Sequence, residues 1–168
     1  MHTFTYQRLA RTLVATAVAI TMTGGVILSA QAQTHGHDAT APAKLSLNQG
    51  HKWATDDALR TGMAKIRLLV EPQLAAAHAG KLDAAQYTAL AGQIETEVGS
   101  IVANCKLEPK ADAVLHVVIA EIGAGTDALA GKDAHTRPAM GLVQVAKAIN
   151  GYAGHFAHPG FKPLRLAH

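Results

Sequence analysis

Apolar residues recur every three or four positions in four stretches of the chain, and this spacing is typical of one buried face of an α-helix. The first stretch follows a predicted N-cap at Thr55, and its apolar positions are Leu59, Met63, Ile66, Val70, Leu74 and Ala77. The second follows a capping box at Asp83, and its apolar positions are Tyr87, Leu90, Ile94, Val98, Ile101 and Cys105. Each stretch therefore predicts an amphipathic helix of about six turns.

The third and fourth stretches each begin at a proline, a residue that suits the first position of a helix. The third starts at Pro109, and its apolar positions are Val114, Leu115, Val117, Val118, Ile119 and Ile122, which predict the most buried helix. The fourth starts at Pro138, and its apolar positions are Met140, Val143, Ala146, Ile149, Ala153 and Phe156. Because the connections are short, we expect an all-α, up-down-up-down antiparallel four-helix bundle over residues 55–158.

Residues 1–32 carry the features of a secretory signal peptide. Two arginines, Arg8 and Arg11, precede a mostly apolar run over residues 12–28, and a small-residue Ala-x-Ala pattern ends at Ala32. The run is shorter than the roughly 20 apolar residues that a membrane span needs. We therefore expect cleavage after Ala32, no membrane contact afterwards, and a periplasmic location.

Two further segments flank the predicted bundle. Residues 33–54 are rich in Ala, Pro and polar residues without periodicity, which predicts a flexible N-terminal segment, and residues 159–168 are predicted to form a C-terminal tail. The chain has 15 Lys and Arg against 12 Asp and Glu, without a basic run, so nucleic acid is not an expected partner. No nucleophile-base pattern, Glu-x-x-His motif or phosphate loop is visible, so we do not expect an enzyme.

Ten histidines and a single cysteine are the main candidates for chemistry. At a helical rise of about 1.5 Å per residue, Met63, His116 and His155 fall at one level of the bundle, and Cys105 lies nearer the same end. Methionine, cysteine and histidine are soft or borderline ligands that suit copper, especially Cu(I). We therefore expect a copper site built from Met63, His116 and His155, with Cys105 as a nearby soft ligand.

Secondary ligands are expected at the same end or in the flexible segment, and they are His35, His37, His51, Asp112 and His158. Haem is the alternative cofactor, with Met63 and either His155 or His158 as axial ligands. The same residues also have ordinary structural interpretations, because Met and Cys often fill cores and a histidine near a helix C-terminus is favourable there.

Three segments, GHKWATDDALRTGMAKIR, NCKLEPKADAVLH and GYAGHFAHPGF, resemble small uncharacterised secreted bacterial proteins that are all-helical, some of them linked to copper or heavy-metal handling. The resemblance covers most of residues 50–161 and implies that Met63, Cys105 and His116 belong to the family pattern. A looser likeness is to bundle cytochromes of the c-prime and b types. This chain lacks their Cys-x-x-Cys-His motif, which excludes covalent c-type haem.

These patterns predict an exported, copper-type metal-binding bundle that acts in metal storage, delivery or tolerance. The alternatives are a non-covalent haem-binding bundle and a cofactor-free periplasmic interaction or accessory protein with a protein partner. The sequence does not set the oligomeric state.

Overall fold

The computed structural model describes residues 44–166, so the predicted signal peptide and residues 33–43 of the predicted flexible segment lie outside it. The described chain contains four α-helices, which are α1 (Asp57–His78), α2 (Ala84–Asn104), α3 (Pro109–Leu129) and α4 (Pro138–His155). Between residues 44 and 166 there is no strand, and two isolated β-bridges occur. The predicted all-α four-helix bundle is confirmed. None of these four helices is long and apolar enough to cross a membrane.

The first helix begins one residue later than its predicted cap. Asp56, rather than Thr55, is the N-cap of α1, because its carboxylate accepts a hydrogen bond from the backbone N–H of Leu59 at 2.8 Å. The Thr55 hydroxyl instead donates to the backbone carbonyl of Ala157 at 2.7 Å. The start of α1 is thereby joined to the segment that follows α4.

The other three helix starts agree with the sequence signals. At α2, the Asp83 side chain accepts from the N–H of Gln86 at 2.8 Å, and the Gln86 side chain accepts from the N–H of Asp83 at 2.9 Å. This is the predicted capping box. Pro109 and Pro138 occupy the first positions of α3 and α4, where a missing N–H costs nothing.

Consecutive helices pack against one another, and α4 closes the array by packing against α1. Of the three connections, the α2–α3 turn is the shortest and the one before α4 is the longest. The largest fully buried side chains fill the interior, and they are Tyr152, Phe156, Leu59, Met63, Ile66, Ile94, Ile101, Leu115, Ile122, Leu129, Leu142 and Ile149. Burying each one contributes roughly 1.5–3 kcal/mol relative to leaving it in water.

The backbones of α3 and α4 come into direct contact at two glycines. A Cβ atom added to Gly125 would lie 2.6 Å from Cγ2 of Val145 and 2.9 Å from the carbonyl oxygen of Gly141. A Cβ atom added to Gly141 would lie 2.6 Å from the carbonyl oxygen of Gly125. The close crossing therefore depends on the absence of a side chain at both positions.

The predicted buried face of α4 is correct at Ala146, Ile149 and Phe156, which are fully buried, and differs at its start. Met140, predicted to face the core, is 47% exposed, whereas Leu142, Val145 and Tyr152 are fully buried. The first half of α4 is apolar on most sides, so periodicity alone does not select the inward face. The close contact with α3 at Gly141 selects it instead.

Residues 44–55, here called the N-terminal strap, pack against the end of α4 rather than forming a flexible lead-in. Trp53 is buried, and its backbone N–H donates to the carbonyl of His155 at 2.8 Å, while its own carbonyl accepts from Ala157 at 2.8 Å. Its indole N–H donates to the carbonyl of Ser46 at 2.6 Å. One large aromatic side chain, set in a polar stretch, is enough to fix the strap.

The C-terminal tail, described over residues 159–166, folds back along the bundle. Leu164 is buried, and its backbone makes two hydrogen bonds with the Asn150 side chain, at 2.6 and 3.0 Å. Arg67 of α1 donates to the carbonyl of Lys162 at 2.8 Å. The tail therefore bridges α4 and α1.

Candidate functional site

The structure separates two of the three predicted copper ligands. Met63 is fully buried on α1, inside the hydrophobic core. The His116 side chain on α3 is 63% exposed to solvent. Met63 therefore faces the interior and His116 faces water.

The two histidines near the end of α4 make local contacts. Nδ1 of His155, which is half-buried, lies 2.8 Å from the carbonyl oxygen of Gly151, one turn earlier in the same helix. Nδ1 of His158 lies 2.9 Å from the hydroxyl of Tyr152, a residue that is fully buried. Burial, with a smaller effect from the Arg60 guanidinium, lowers the pKa of His158 below its usual value. The neutral form of His158 is therefore the one that the fold accommodates.

Cys105, the C-cap residue of α2, opens the short turn that leads to α3. Its thiol is half-buried and lies beside the carboxylate of Asp56. Burial, together with the negative charges of Asp56 and Asp112, raises the pKa of the thiol to about 11. The resting sulfur is therefore a protonated thiol rather than a thiolate.

Asp56 ties this turn to the start of α1. Besides capping α1, its carboxylate accepts from the backbone N–H of Lys106 at 2.6 Å. Burial alone would raise the pKa of Asp56, but the N–H groups of Lys106 and Leu59 outweigh it and lower the pKa. The sequence gives no signal for this role, because Lys106 lies 50 positions away.

Asp112 and His116 form an adjacent pair on α3, one turn apart. Nδ1 of His116 lies 2.9 Å from the backbone carbonyl oxygen of Asp112 and 3.4 Å from its carboxylate oxygen. The Asp112 side chain is 46% exposed. Its charge also acts on the Cys105 thiol at the α2–α3 turn.

The described side chains do not form a ready-made metal centre. Within residues 44–166, no three His, Cys, Asp or Glu side chains are placed to hold one metal ion as they stand. His51 is exposed in a tight turn of the N-terminal strap, where Gln49 and Gly50 both have positive φ angles. His35 and His37 lie outside the described residues.

A cleft opens beside the α2–α3 turn, between it and the N-terminal strap. It has a volume of about 340 Å³, and its lining residues include Trp53, Asp56, Lys106 and Glu108. Cys105, Asp112 and His116 are not among its lining residues. No local sequence pattern indicates this cleft, because it is formed by segments far apart in the chain.

The fold and this site define a class of protein, a small all-helical bundle with a thiol-containing turn at one end. No family model, curated protein or solved structure matches the chain. The resemblance to secreted bacterial proteins linked to copper therefore stays a prediction.

Proposed function

We propose that the protein is an exported helical bundle that binds a soft metal ion, copper as Cu(I) foremost, in storage, delivery or tolerance. The proposed ligands are Cys105, Asp112 and His116. The observations that support the proposal are the Asp112–His116 pair near the start of α3 and the electrostatic effect of Asp112 on the Cys105 thiol. Thiolate and imidazole are ligands that suit copper.

Metal binding at this turn requires a small rearrangement. The Cys105 thiol must leave the Asp56 carboxylate and lose its proton, as thiols do when they ligate a metal ion. Asp112 and His116 are largely exposed, so their side chains can turn toward the sulfur at a cost of roughly 1 kcal/mol each in rotamer freedom. The helical backbone that carries both residues can stay in place.

Met63 is left out of the proposed ligand set because it is fully buried in the core. A haem ligated by Met63 would have to displace core side chains that each contribute a few kcal/mol to stability. The haem alternative is therefore less favourable than a metal ion bound at the α2–α3 turn.

The test is a titration of reduced, metal-free protein with Cu(I) against a competing chelator, with the melting temperature followed in the same samples. We expect one equivalent to bind tightly and to raise the melting temperature by linkage. Cys105→Ser and His116→Gln should each weaken binding at least about tenfold, which is about 1.4 kcal/mol. Met63→Leu, a swap of similar volume, is the matched control and should bind copper as the wild type does.

If Met63→Leu weakens copper binding while Cys105→Ser does not, the ligand set proposed here is wrong. The set predicted from the sequence, Met63, His116 and His155, is then favoured. Absence of both binding and a melting shift would remove the metal function. A Soret band in protein from a haem-replete host would point to haem.

One observation favours a second candidate, a cofactor-free periplasmic accessory protein. Every buried side-chain nitrogen or oxygen in the described residues has a hydrogen-bond partner, so the folded interior holds no polar group waiting for a ligand. This candidate predicts full stability without metal and no change when copper is added.

A further inference from the structure

A second cleft lies on another part of the surface, between α1 and the C-terminal tail. It has a volume of about 310 Å³. Three lining residues belong to α1, and the other five are His158 and the first residues of the C-terminal tail. They are Ala64, Arg67, Leu68, His158, Pro159, Gly160, Phe161 and Lys162. The metal ligands proposed above take no part in it.

The polar side chains that line this cleft are all basic. Arg67 is held in place by its hydrogen bond to the carbonyl of Lys162 and by an ion pair with Glu71 at 2.7 Å, which offsets part of its charge. The Lys162 side chain adds a second positive charge at the rim. When the Tyr152 hydroxyl donates to Nδ1 of His158, the neutral imidazole carries its hydrogen on Nε2. The cleft therefore presents hydrogen-bond donors and a net positive charge.

The remaining lining is apolar and partly open to water. Leu68 is 66% exposed, one of the few large hydrophobic side chains so placed in the described chain. Phe161 also lines the cleft, and its ring lies 4.6 Å from that of His158 and 5.1 Å from that of Tyr152, centre to centre. These ring contacts hold Phe161 in a fixed position. An apolar ligand would cover both Leu68 and Phe161.

The volume limits the size of the ligand. Small-molecule sites in proteins occupy roughly 300–1,000 Å³, so this cleft is at the lower end of the range. Basic and apolar side chains that line the same cleft match a molecule that has an anionic head and a short apolar body.

We propose that the cleft between α1 and the C-terminal tail binds small carboxylates with an apolar body, such as medium-chain fatty acids. The carboxylate lies against Arg67 and Lys162, and the hydrocarbon chain lies on Leu68 and Phe161. Binding here does not depend on a metal ion, so this site and the proposed copper site can fail separately.

The test is a titration of the purified protein with octanoate, followed by the backbone amide shifts in two-dimensional NMR spectra. Octylamine, with the same chain and the opposite charge, is the ligand control. We expect octanoate to shift the amides of residues 64–68, 158 and 160–162, and octylamine to leave them unchanged. Lys162→Glu should weaken octanoate binding by roughly three- to tenfold, as expected for reversing one exposed charge. Lys147→Glu, on an exposed position of α4, is the matched variant and should bind as the wild type does.

Equal binding of octanoate and octylamine would overturn the proposal, because it would show an apolar surface without selection for charge. Shifts that fall outside the cleft would also overturn it, as would an unchanged affinity in Lys162→Glu. Loss of binding in Leu68→Ser, with Lys147→Glu intact, would support the assigned position of the hydrocarbon chain.

Discussion

Replacing Gly125 by alanine tests the closest contact in the bundle. The new methyl carbon would lie 2.6 Å from Cγ2 of Val145, 2.9 Å from the carbonyl oxygen of Gly141 and 3.0 Å from the backbone nitrogen of Val145. Two of these three atoms belong to the backbone of α4, so no side-chain rotation can relieve the overlap. The two helices must move apart.

Two opposing effects set the magnitude. Alanine is more favourable than glycine in a helix by roughly 1 kcal/mol. Overpacking a close contact costs about 1–3 kcal/mol, and the upper part of that range applies where backbone atoms collide. We therefore expect Gly125→Ala to lower the free energy of unfolding by about 1–2 kcal/mol, which corresponds to a fall of roughly 5 °C in melting temperature.

Gly123→Ala is the matched control in the same helix. A Cβ atom at Gly123 would meet nothing within 4 Å, so only the helix propensity changes and stability should rise by about 0.5–1 kcal/mol. Urea unfolding followed by far-UV circular dichroism measures both variants. If Gly125→Ala proved as stable as Gly123→Ala, the direct contact between α3 and α4 would be refuted.

Two further predictions follow from the shifted pKa values. Burial lowers the pKa of His158 below 6.5, so protonation of this residue opposes folding. We therefore expect the free energy of unfolding to fall as the pH drops below that value. His158→Gln should remove this loss, which urea melts at pH 7.5 and 5.5 measure. Because the pKa of Cys105 is about 11 rather than 9.0, its thiol should react with a disulfide reagent at pH 8 roughly tenfold more slowly than in the unfolded chain. Asp56→Ser, which can still cap α1, should restore part of that rate, and an unchanged rate would contradict the effect of the Asp56 carboxylate on the thiol.

The fold could be predicted because its signals are local. The capping box at Asp83, the prolines at 109 and 138 and the apolar spacing each depend on residues within one or two turns. The N-terminal strap could not be predicted in the same way. Its partners are the end of α4 and the residues just beyond it, about 100 positions away, and its composition is that of a loop.

The candidate site was harder to predict, because metal ligands must point toward one another as well as lie at the same height along the bundle. Helical rise gives the height of a residue along the bundle, but each residue also turns by about 100° around the helix axis. His116 sits between Leu115 and Val117 in an apolar run, and yet its side chain is 63% exposed, because Leu115 and Val118 define the buried face of α3. Height alone therefore grouped a core residue with a surface residue.

The orientation of Met63 and of Cys105 determines how much it costs to move each sulfur to a metal ion at the surface. Drawing Met63 out to a surface ligand would open a cavity in a core where it is fully buried, at a cost of about 2–5 kcal/mol. Turning the Cys105 thiol away from Asp56 moves a side chain that is already half-exposed. The second cost is smaller, because no core cavity opens and the Asp56 carboxylate keeps two backbone donors. A copper ion bound by this bundle should therefore take its sulfur ligand from the α2–α3 turn, not from the core.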